Sequence, residues 1–306
     1  MITKKELEGM SDGSRVSGLA VIQNVEERLT RNQSSSYLAG NIQCCGAIPY
    51  KVWSNAACFA ELKCNSDVYI GSVCEIIGKI NVYEGQTSLV IESCRIAKGN
   101  DVPDAMDFYE SKYDGERYWN ILYSTLQKNC SENAIKVFDL VMGKHKSVFM
   151  KEFAAISHHD NCKAGLIGHT TKLVKLGTVL NMYPEVVKRA GGKDVLYIGG
   201  ALHDIGKVLE YYNGAISNIG RHLCHTIIGA MVVTEYEQQI VDLMGEEFYL
   251  TLVSIISEHA GEYGERPRTV AAYVIHLLDT LESRLASLEE IASSPQQLYV
   301  DGFKLN

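Results

Sequence analysis

The chain has no surplus of positive charge. Its 306 residues hold 29 Lys+Arg against 37 Asp+Glu, a formal net charge of −8. That excludes a broad basic surface for nucleic acid. It leaves room for a local groove, because a bound divalent ion adds positive charge where phosphate would sit. Tryptophan is scarce, at 2 against 17 tyrosines, so the aromatics are mostly amphipathic and suit stacking surfaces. No window approaches the roughly 18 apolar residues of a membrane span. Met1-Ile-Thr-Lys-Lys-Glu has charge without a following apolar core, so no signal peptide and no membrane contact are expected. Internal repeats and low-complexity stretches are also missing.

Nine cysteines are present, an odd number, and no CxxC pair occurs. Cys44, Cys45, Cys58, Cys64, Cys74 and Cys94 crowd into the first third, several in apolar runs such as Val73-Cys74-Glu75-Ile76-Ile77. Neither a zinc knuckle nor a disulfide scaffold has the spacing it needs. Reduced, buried cysteine in a cytoplasmic protein is the expectation. The hydrophobic fraction of 46% is enough for a real core, and the length fits one large or two modest domains.

The hydrophobic pattern changes period along the chain. Residues 1–13 read as a tail or short leading helix. From 14 to 98, runs rich in Val, Ile and Tyr alternate with Gly, Asn and Ser clusters. Strands are expected near 15–24, 36–45, 47–53, 72–82 and 87–97, with hairpin turns at Ser34-Ser35-Ser36 and Glu84-Gly85-Gln86. A helical connection begins near Ser54-Asn55-Ala56-Ala57. Five strands with a helix between the third and fourth match a small barrel of the oligonucleotide-binding (OB) type. Residues 99–156 read as an acidic linker, with Asp101, Pro103, Asp104 and Asp107, followed by connecting helices. From about 113 onward the period is helical. Helices are expected near 116–129, 131–143, 147–156, 163–180, 184–190, 194–206, 222–236, 246–260, 267–286 and 287–292, and no strand is expected after 113. The last stretch, 293–306, reads as a tail. The expected fold is multidomain: a small OB-like β-barrel, then an all-α domain over 157–292.

The most informative stretch is Ala201-Leu-His203-Asp204-Ile-Gly-Lys207, where an apolar run from Val195 to Leu202 meets a histidine and an aspartate. Imidazole and carboxylate side by side suit a divalent metal. Four further residues in helical, partly apolar segments complete a candidate ligand set: His169, His225, His259 and Asp279. Asp279 lies among Leu277, Leu278 and Leu281, where a carboxylate is costly to bury without a partner. Capped or hydrogen-bonded polar residues are the plainer reading of each alone; the set favours metal. Lys207, three residues after Asp204, projects near the same helix face and could neutralise a phosphate oxygen or simply be solvated.

The order His169 … His203-Asp204 … Asp279 resembles the HD superfamily of metal-dependent phosphohydrolases. With His225, His259 and the N-terminal barrel added, it resembles the YhaM-type 3′-5′ exoribonucleases within that superfamily. The supporting text is Ile156-Ser-His158-His159-Asp160 before Ala164-Gly-Leu-Ile-Gly-His169, then Tyr197-Ile-Gly-Gly-Ala-Leu-His203-Asp204-Ile-Gly-Lys207, then Gly220-Arg-His-Leu-Cys-His225. In the barrel it is Ala47-Ile-Pro-Tyr-Lys51-Val-Trp53 and Gly85-Gln86-Thr-Ser-Leu89-Val-Ile91. The chain departs from the family at Ala260, where a second histidine is common, at the loop Gly264-Glu-Arg-Pro267-Arg-Thr, and at Cys44-Cys45-Gly46.

The resemblance implies two ions per site. His169, His203, Asp204 and Asp279 would hold the first, and Asp204 would bridge to a second held by His225 and His259. Mn²⁺ suits such donors best, with Fe²⁺ and Mg²⁺ as other fits. Metal-activated water would attack phosphorus, with Asp204 and Lys207 in the catalytic group. His159, Arg266 and Arg268 are candidate substrate contacts; a surface histidine and an ordinary solvated loop are the plainer readings. On the barrel, Tyr37, Tyr50, Trp53 and Tyr83 are candidates for stacking bases, with Lys51 and Lys79 nearby; barrel aromatics are as often core. Expected substrates are single-stranded RNA or DNA, or alternatively small or cyclic nucleotides with the barrel used for assembly. His222, His276 and His145 read as structural, with His276 a candidate support for the ligands. A homo-oligomer is expected.

Overall fold

A computed structural model describes residues 1–155, 162–261, 264–292, 298–300 and 303–305. The chain divides into two compact units: Met1–Ser111 with Tyr211–His222, and Lys112–Glu210 with Leu223–Asn306.

The first unit is built on six strands, β1 (Arg15–Ile22), β2 (Glu26–Leu29), β3 (Ser36–Gln43), β4 (Ala47–Trp53), β5 (Val73–Tyr83) and β6 (Gln86–Ile96). The sheet order is β1-β5-β6-β4-β3-β2, and β1 also pairs with β3, so the ladder returns to its start. β4 and β6 run parallel, and the other pairs run antiparallel. This cycle, with helices α2 (Phe59–Cys64) and α3 (Ser66–Tyr69) between β4 and β5, is the OB-like arrangement. A short leading helix α1 (Lys4–Glu8) starts with a capping box between Thr3 and Glu6.

Period-2 alternation sets what faces inward. Along β4, Ile48, Tyr50 and Val52 are buried, and they join Leu38, Ile42, Ile76, Ile80, Leu89 and Ile91 in one core. The β5–β6 hairpin turns at Glu84-Gly85, both at positive φ (49 and 77), which matches the right-handed twist of the strands. Gly40 is required on β3, because a Cβ there would run into the Asn24 carbonyl. β2 was not expected; its four residues are all exposed, so no alternation marks it.

The second unit is helical: α4 (Gly115–Asn129), α5 (Glu132–Met142), α6 (Lys146–Phe149), α7 (Gly165–Leu176), α8 (Pro184–Arg189), α9 (Lys193–Leu202), α10 (Lys207–Glu210), α11 (His225–Thr234), α12 (Glu237–Met244), α13 (Glu246–Glu258) and α14 (Val270–Ala292). α9 is the central helix, buried on every side from Val195 to Leu202. Its glycines allow close approach: a Cβ on Gly199 would overlap Ile255 of α13, and one on Gly200 would press on Leu173 of α7. The sequence expectation of one helix over 163–180 divides into α7 and a 3-10 turn, Gly177–Met182. The two helices expected over 267–292 are the single α14, and α12 was not expected.

The expectation of no strand after 113 is wrong. Strands β7 (Tyr211–Tyr212) and β8 (Ala215–Ile216) form a hairpin, as do β9 (Leu298–Val300) and β10 (Phe303–Leu305). Asn213-Gly214, at φ 51 and 72, is the two-residue turn that makes the first hairpin. Cys44, Cys58, Cys74, Cys94 and Cys162 are buried as expected, Cys45 and Cys130 are half-buried, and Cys64 and Cys224 are exposed. No helix among the described residues is long and apolar enough to cross a membrane.

Replacing Gly40 with alanine should destabilise the barrel by about 1–3 kcal/mol through overpacking. The check is a thermal melt followed by circular dichroism, and a variant that melts with the wild type would contradict this strand placement.

Candidate metal centre

Five helices deliver the candidate ligands, three of them at helix ends. α7 carries His169, and α14 carries Asp279. His203 caps the C-terminus of α9, and His259 caps that of α13. His225 opens α11. The last carbonyls of a helix lack intrahelical donors, and both capping histidines use them. His203 Nδ1 lies 2.8 Å from the Gly200 carbonyl and His259 Nδ1 lies 3.0 Å from the Ile256 carbonyl. The other two imidazoles lean on carboxylates: His169 Nδ1 on Glu282, and His225 Nδ1 on Glu210 Oε2 at 3.4 Å.

Nδ1 of His203 and of His259 faces a backbone carbonyl, which fixes that nitrogen as the donor and turns Nε2 to the centre. All four Nε2 atoms point at Asp204. On the Oδ2 side, His203 and His169 stand at 3.3 and 3.6 Å. On the Oδ1 side, His225 and His259 stand at 3.5 and 3.6 Å. Asp279 Oδ1 lies 3.2 Å from His169 Nε2. Lys207 Nζ closes on Asp204 Oδ2 at 2.7 Å.

The donor set fits a divalent cation. His169, His203 and Asp279 present ligand atoms all within 4.8 Å of one another, and so do His203, Asp204 and His259. Asp204 Oδ1 is buried and has no hydrogen-bond partner among the described residues. A buried, unpaired carboxylate oxygen is costly, and an ion on that side would satisfy it. His225 reaches Asp204 but stands outside both tight groups.

The electrostatics agree with a site built for positive charge. Burial works against a charged His169, but the Asp279 and Glu282 carboxylates outweigh it and hold the imidazole up to about 10. Burial would raise Asp204, yet Lys207 and His203 beside it keep its carboxyl well below the usual range. Asp279 is also lowered, burial being overcome by His169.

The remaining expected residues fall in three places. Arg268 is tied to Glu258, its backbone N–H donating at 2.7 Å and its Nε at 2.8 Å, while Arg266 is exposed. His159 lies outside the described residues. On the barrel, Tyr37 and Trp53 are register partners on β3 and β4, with ring centroids 5.3 Å apart. Lys51 Nζ sits 5.9 Å from the Tyr37 ring centre. Tyr50 does not belong with them: it is buried, and its hydroxyl donates to the Asn24 carbonyl at 2.9 Å. Tyr83 is 70% exposed at the far end of β5.

Residues 166–284 match the family model described as the HD domain. An OB-like sheet unit precedes the matched residues, an order consistent with the YhaM-type architecture. Among solved structures, the chain is similar to Rim1, a mitochondrial single-stranded DNA binding protein of S. cerevisiae, at 18% identity and a TM-score of 0.24, over 29% of this chain and 100% of that one. It is also similar to a chain of a Replication Protein A heterotrimer bound to ssDNA, at 17% identity and a TM-score of 0.23, over 30% of this chain and 64% of that one.

Sequence reasoning missed the residues behind the candidate ligands. Glu282 backs His169 and is itself held by Lys172 Nζ at 2.6 Å, and Lys172 also donates to the Tyr113 hydroxyl at 3.0 Å. Glu210 backs His225. A signal existed for two of these: Glu282 follows Asp279 by three residues and Lys172 follows His169 by three, so each shares its ligand's helix face. The support from His276 was anticipated; its Nδ1 donates to the His259 carbonyl at 2.8 Å.

Two outcomes are expected. Asp204→Ala should remove bound divalent metal and abolish turnover while leaving the barrel folded; full activity would exclude Asp204 from the centre. Metal uptake should also release a proton. Below about pH 10 His169 is protonated in the metal-free protein, and an ion must displace that proton to reach the ring. Affinity should therefore fall with falling pH, by about tenfold per unit for one displaced proton. Calorimetry in buffers of different ionisation heat reads the release directly, and no buffer dependence at pH 7 would contradict it.

Proposed function

We propose that this protein is a metal-dependent hydrolase of phosphodiester bonds that shortens single-stranded RNA, and DNA, from the 3′ end. The observation that carries the reading is the convergence of four imidazole Nε2 atoms on the two oxygens of Asp204. His169, His203, Asp204 and Asp279 would hold one ion, and Asp204, His225 and His259 another, with Mn²⁺ as the preferred metal. Ions bound there supply an activated water and neutralise phosphate oxygens. Asp204 remains a carboxylate through the cycle because Lys207 and His203 stabilise its charge. Lys207, whose Nζ pairs with Asp204 Oδ2 at 2.7 Å, would neutralise a phosphate oxygen in this reading. Buried packing around His169, His203 and His259 keeps bulk water out.

The barrel supports strand capture. Trp53 is 41% exposed beside Tyr37, with Lys51 on the same face, and the three make a stacking surface with a cation at its edge. Such a platform accepts any base and suits a single strand. Arg266, exposed after His259, and His159 are further substrate contacts in this reading. A cytoplasmic location and a homo-oligomeric state belong to it as well. The net charge of −8 favours a second reading, hydrolysis of small or cyclic nucleotides with the barrel used for assembly.

A denaturing gel of 5′-labelled single-stranded RNA, run with Mn²⁺ and with chelator, tests the proposal. The expected result is a Mn²⁺-dependent ladder shrinking from the 3′ end. An unchanged band overturns the exonuclease, and turnover in a nucleotide panel would then establish the second reading. Trp53→Ala should weaken strand binding by about 1–3 kcal/mol while sparing a small model diester. Equal losses on both substrates would make Trp53 structural.

A further inference from the structure

α14 is the longest helix among the described residues, at 23 residues, and it is apolar on two faces. Its inner face is ordinary core: Ala272, Val274, Ile275, Leu278 and Ala286 are buried. Its outer face carries Val270, Tyr273, Leu277, Leu281 and Leu285 at three- and four-residue spacings, each between 40% and 54% exposed. A helix that is apolar all round is normally buried all round. The charged residues of α14 between 270 and 288 are Asp279, Glu282 and Arg284. Both carboxylates turn inward, Asp279 to His169, and Glu282 to His169 and Lys172. The outer face therefore presents no acid before Glu289.

The apolar surface continues beside this helix. α8 packs against α14, Gly177 and Leu180 of the preceding 3-10 turn share a small cavity with Ile275 and Leu278, and Leu176 borders a groove with Leu285. This neighbouring stretch leaves Val179, Met182, Tyr183 and Val186 exposed. At half exposure, large apolar side chains offer on the order of 80 Å² each, so the two stretches together present on the order of 700 Å². Monomers rarely leave so large an apolar patch open. It is close to the roughly 800 Å² that each partner gives to a standard interface.

The partner that matches this surface is a second copy of the chain. The outer residues are symmetric about Leu281, with Leu277 and Leu285 four positions to either side, and Tyr273 and Glu289 eight positions to either side. Two such helices laid antiparallel across a two-fold axis at Leu281 set that leucine against its mate. The same axis sets Leu277 against Leu285 and brings the Tyr273 hydroxyl to the Glu289 carboxylate. A chain of net charge −8 repels its own copies. On this face two copies meet with no carboxylate opposed to another.

We propose that the outer face of α14, bordered by residues 177–189, is an interface with the same face of a second copy, packed antiparallel about Leu281. The proposal rests on the homo-oligomeric part of the reading above and is independent of the substrate. α14 also carries Asp279, so one helix serves both the interface and the candidate metal centre.

Sedimentation of the full chain at micromolar concentration and oxidation of cysteine variants test it. Wild type should sediment as a dimer or an even multiple. Leu281→Asp should halve that mass, because it sets two carboxylates against each other on the axis, while circular dichroism stays as in wild type. For the register, the exposed Cys64 and Cys224 are first replaced by serine. In that background Leu281→Cys should give a disulfide-linked dimer on copper-catalysed oxidation. Leu277→Cys and Leu285→Cys should link when the two variants are mixed and allowed to exchange, and not singly. Like positions then stand eight residues apart, about 12 Å along the axis, too far for a disulfide. An oligomer whose mass is unchanged by Leu281→Asp overturns this interface and leaves the homo-oligomer standing. A monomeric wild type overturns both and gives the face to another occupant. If Leu281→Asp does not fold, the Leu281→Cys link decides, and its absence overturns the proposal. Leu277→Cys linking alone as readily as in the mixture overturns the antiparallel register.

Discussion

A carboxylate buried as deeply as Asp204 must be met by positive charge or by donors, and most of the helical unit's arrangement follows from that demand. Lys207 satisfies one oxygen. The other faces two imidazole nitrogens at 3.5 and 3.6 Å and has no hydrogen bond among the described residues. Removing an ionised carboxylate from water costs several kcal/mol even after relaxation. The surrounding helices are therefore organised to return that energy: α9 and α13 end where their capping histidines reach the centre, α11 begins there, and α7 and α14 bring His169 and Asp279 across from the side.

The two sides of Asp204 are built alike. Each has one imidazole backed by a carboxylate and one backed by a carbonyl at a helix C-terminus. His169 has Glu282 and His203 has the Gly200 carbonyl; His225 has Glu210 and His259 has the Ile256 carbonyl. The sides differ in what stands behind the carboxylates. Glu282 is neutralised by Lys172, which holds it below the ordinary glutamate range together with His169 against the effect of burial. Glu210 Oε2 has no hydrogen-bond donor among the described residues. On the Oδ2 side the backing carboxylate is paired with Lys172, and on the Oδ1 side it accepts from the His225 backbone N–H.

In the barrel the governing constraint is parity. Side chains three apart on a strand face opposite ways, and side chains two apart face the same way. Tyr50 therefore goes to the core while Lys51 and Trp53 stay on the outer face beside Tyr37. The same rule divides buried from outer-face aromatics on β4 without any other information. The ladder from β1 through β5, β6, β4 and β3 back to β1 leaves β2 as the appended outer strand.

Local pattern alone determined much of this protein. Alternation of Ile48, Tyr50 and Val52 announces a half-buried strand, Glu84-Gly85 announces a hairpin, and the apolar run ending at His203-Asp204 announces a ligand pair at a helix end. Asn213-Gly214 carried an equally strong hairpin signal, obscured by helical periodicity on both sides. Glu282 and Lys172 were legible from their three-residue spacing to Asp279 and His169. Only the tertiary structure decided that four Nε2 atoms converge on a single carboxylate, that Nδ1 of His203 and His259 meets a helix-end carbonyl, and that residues 211–222 group with the sheet unit. Those features are contacts between segments distant in sequence, set by helix packing such as Gly199 against Ile255. A local period carries no information about which distant helix fills the space beside it.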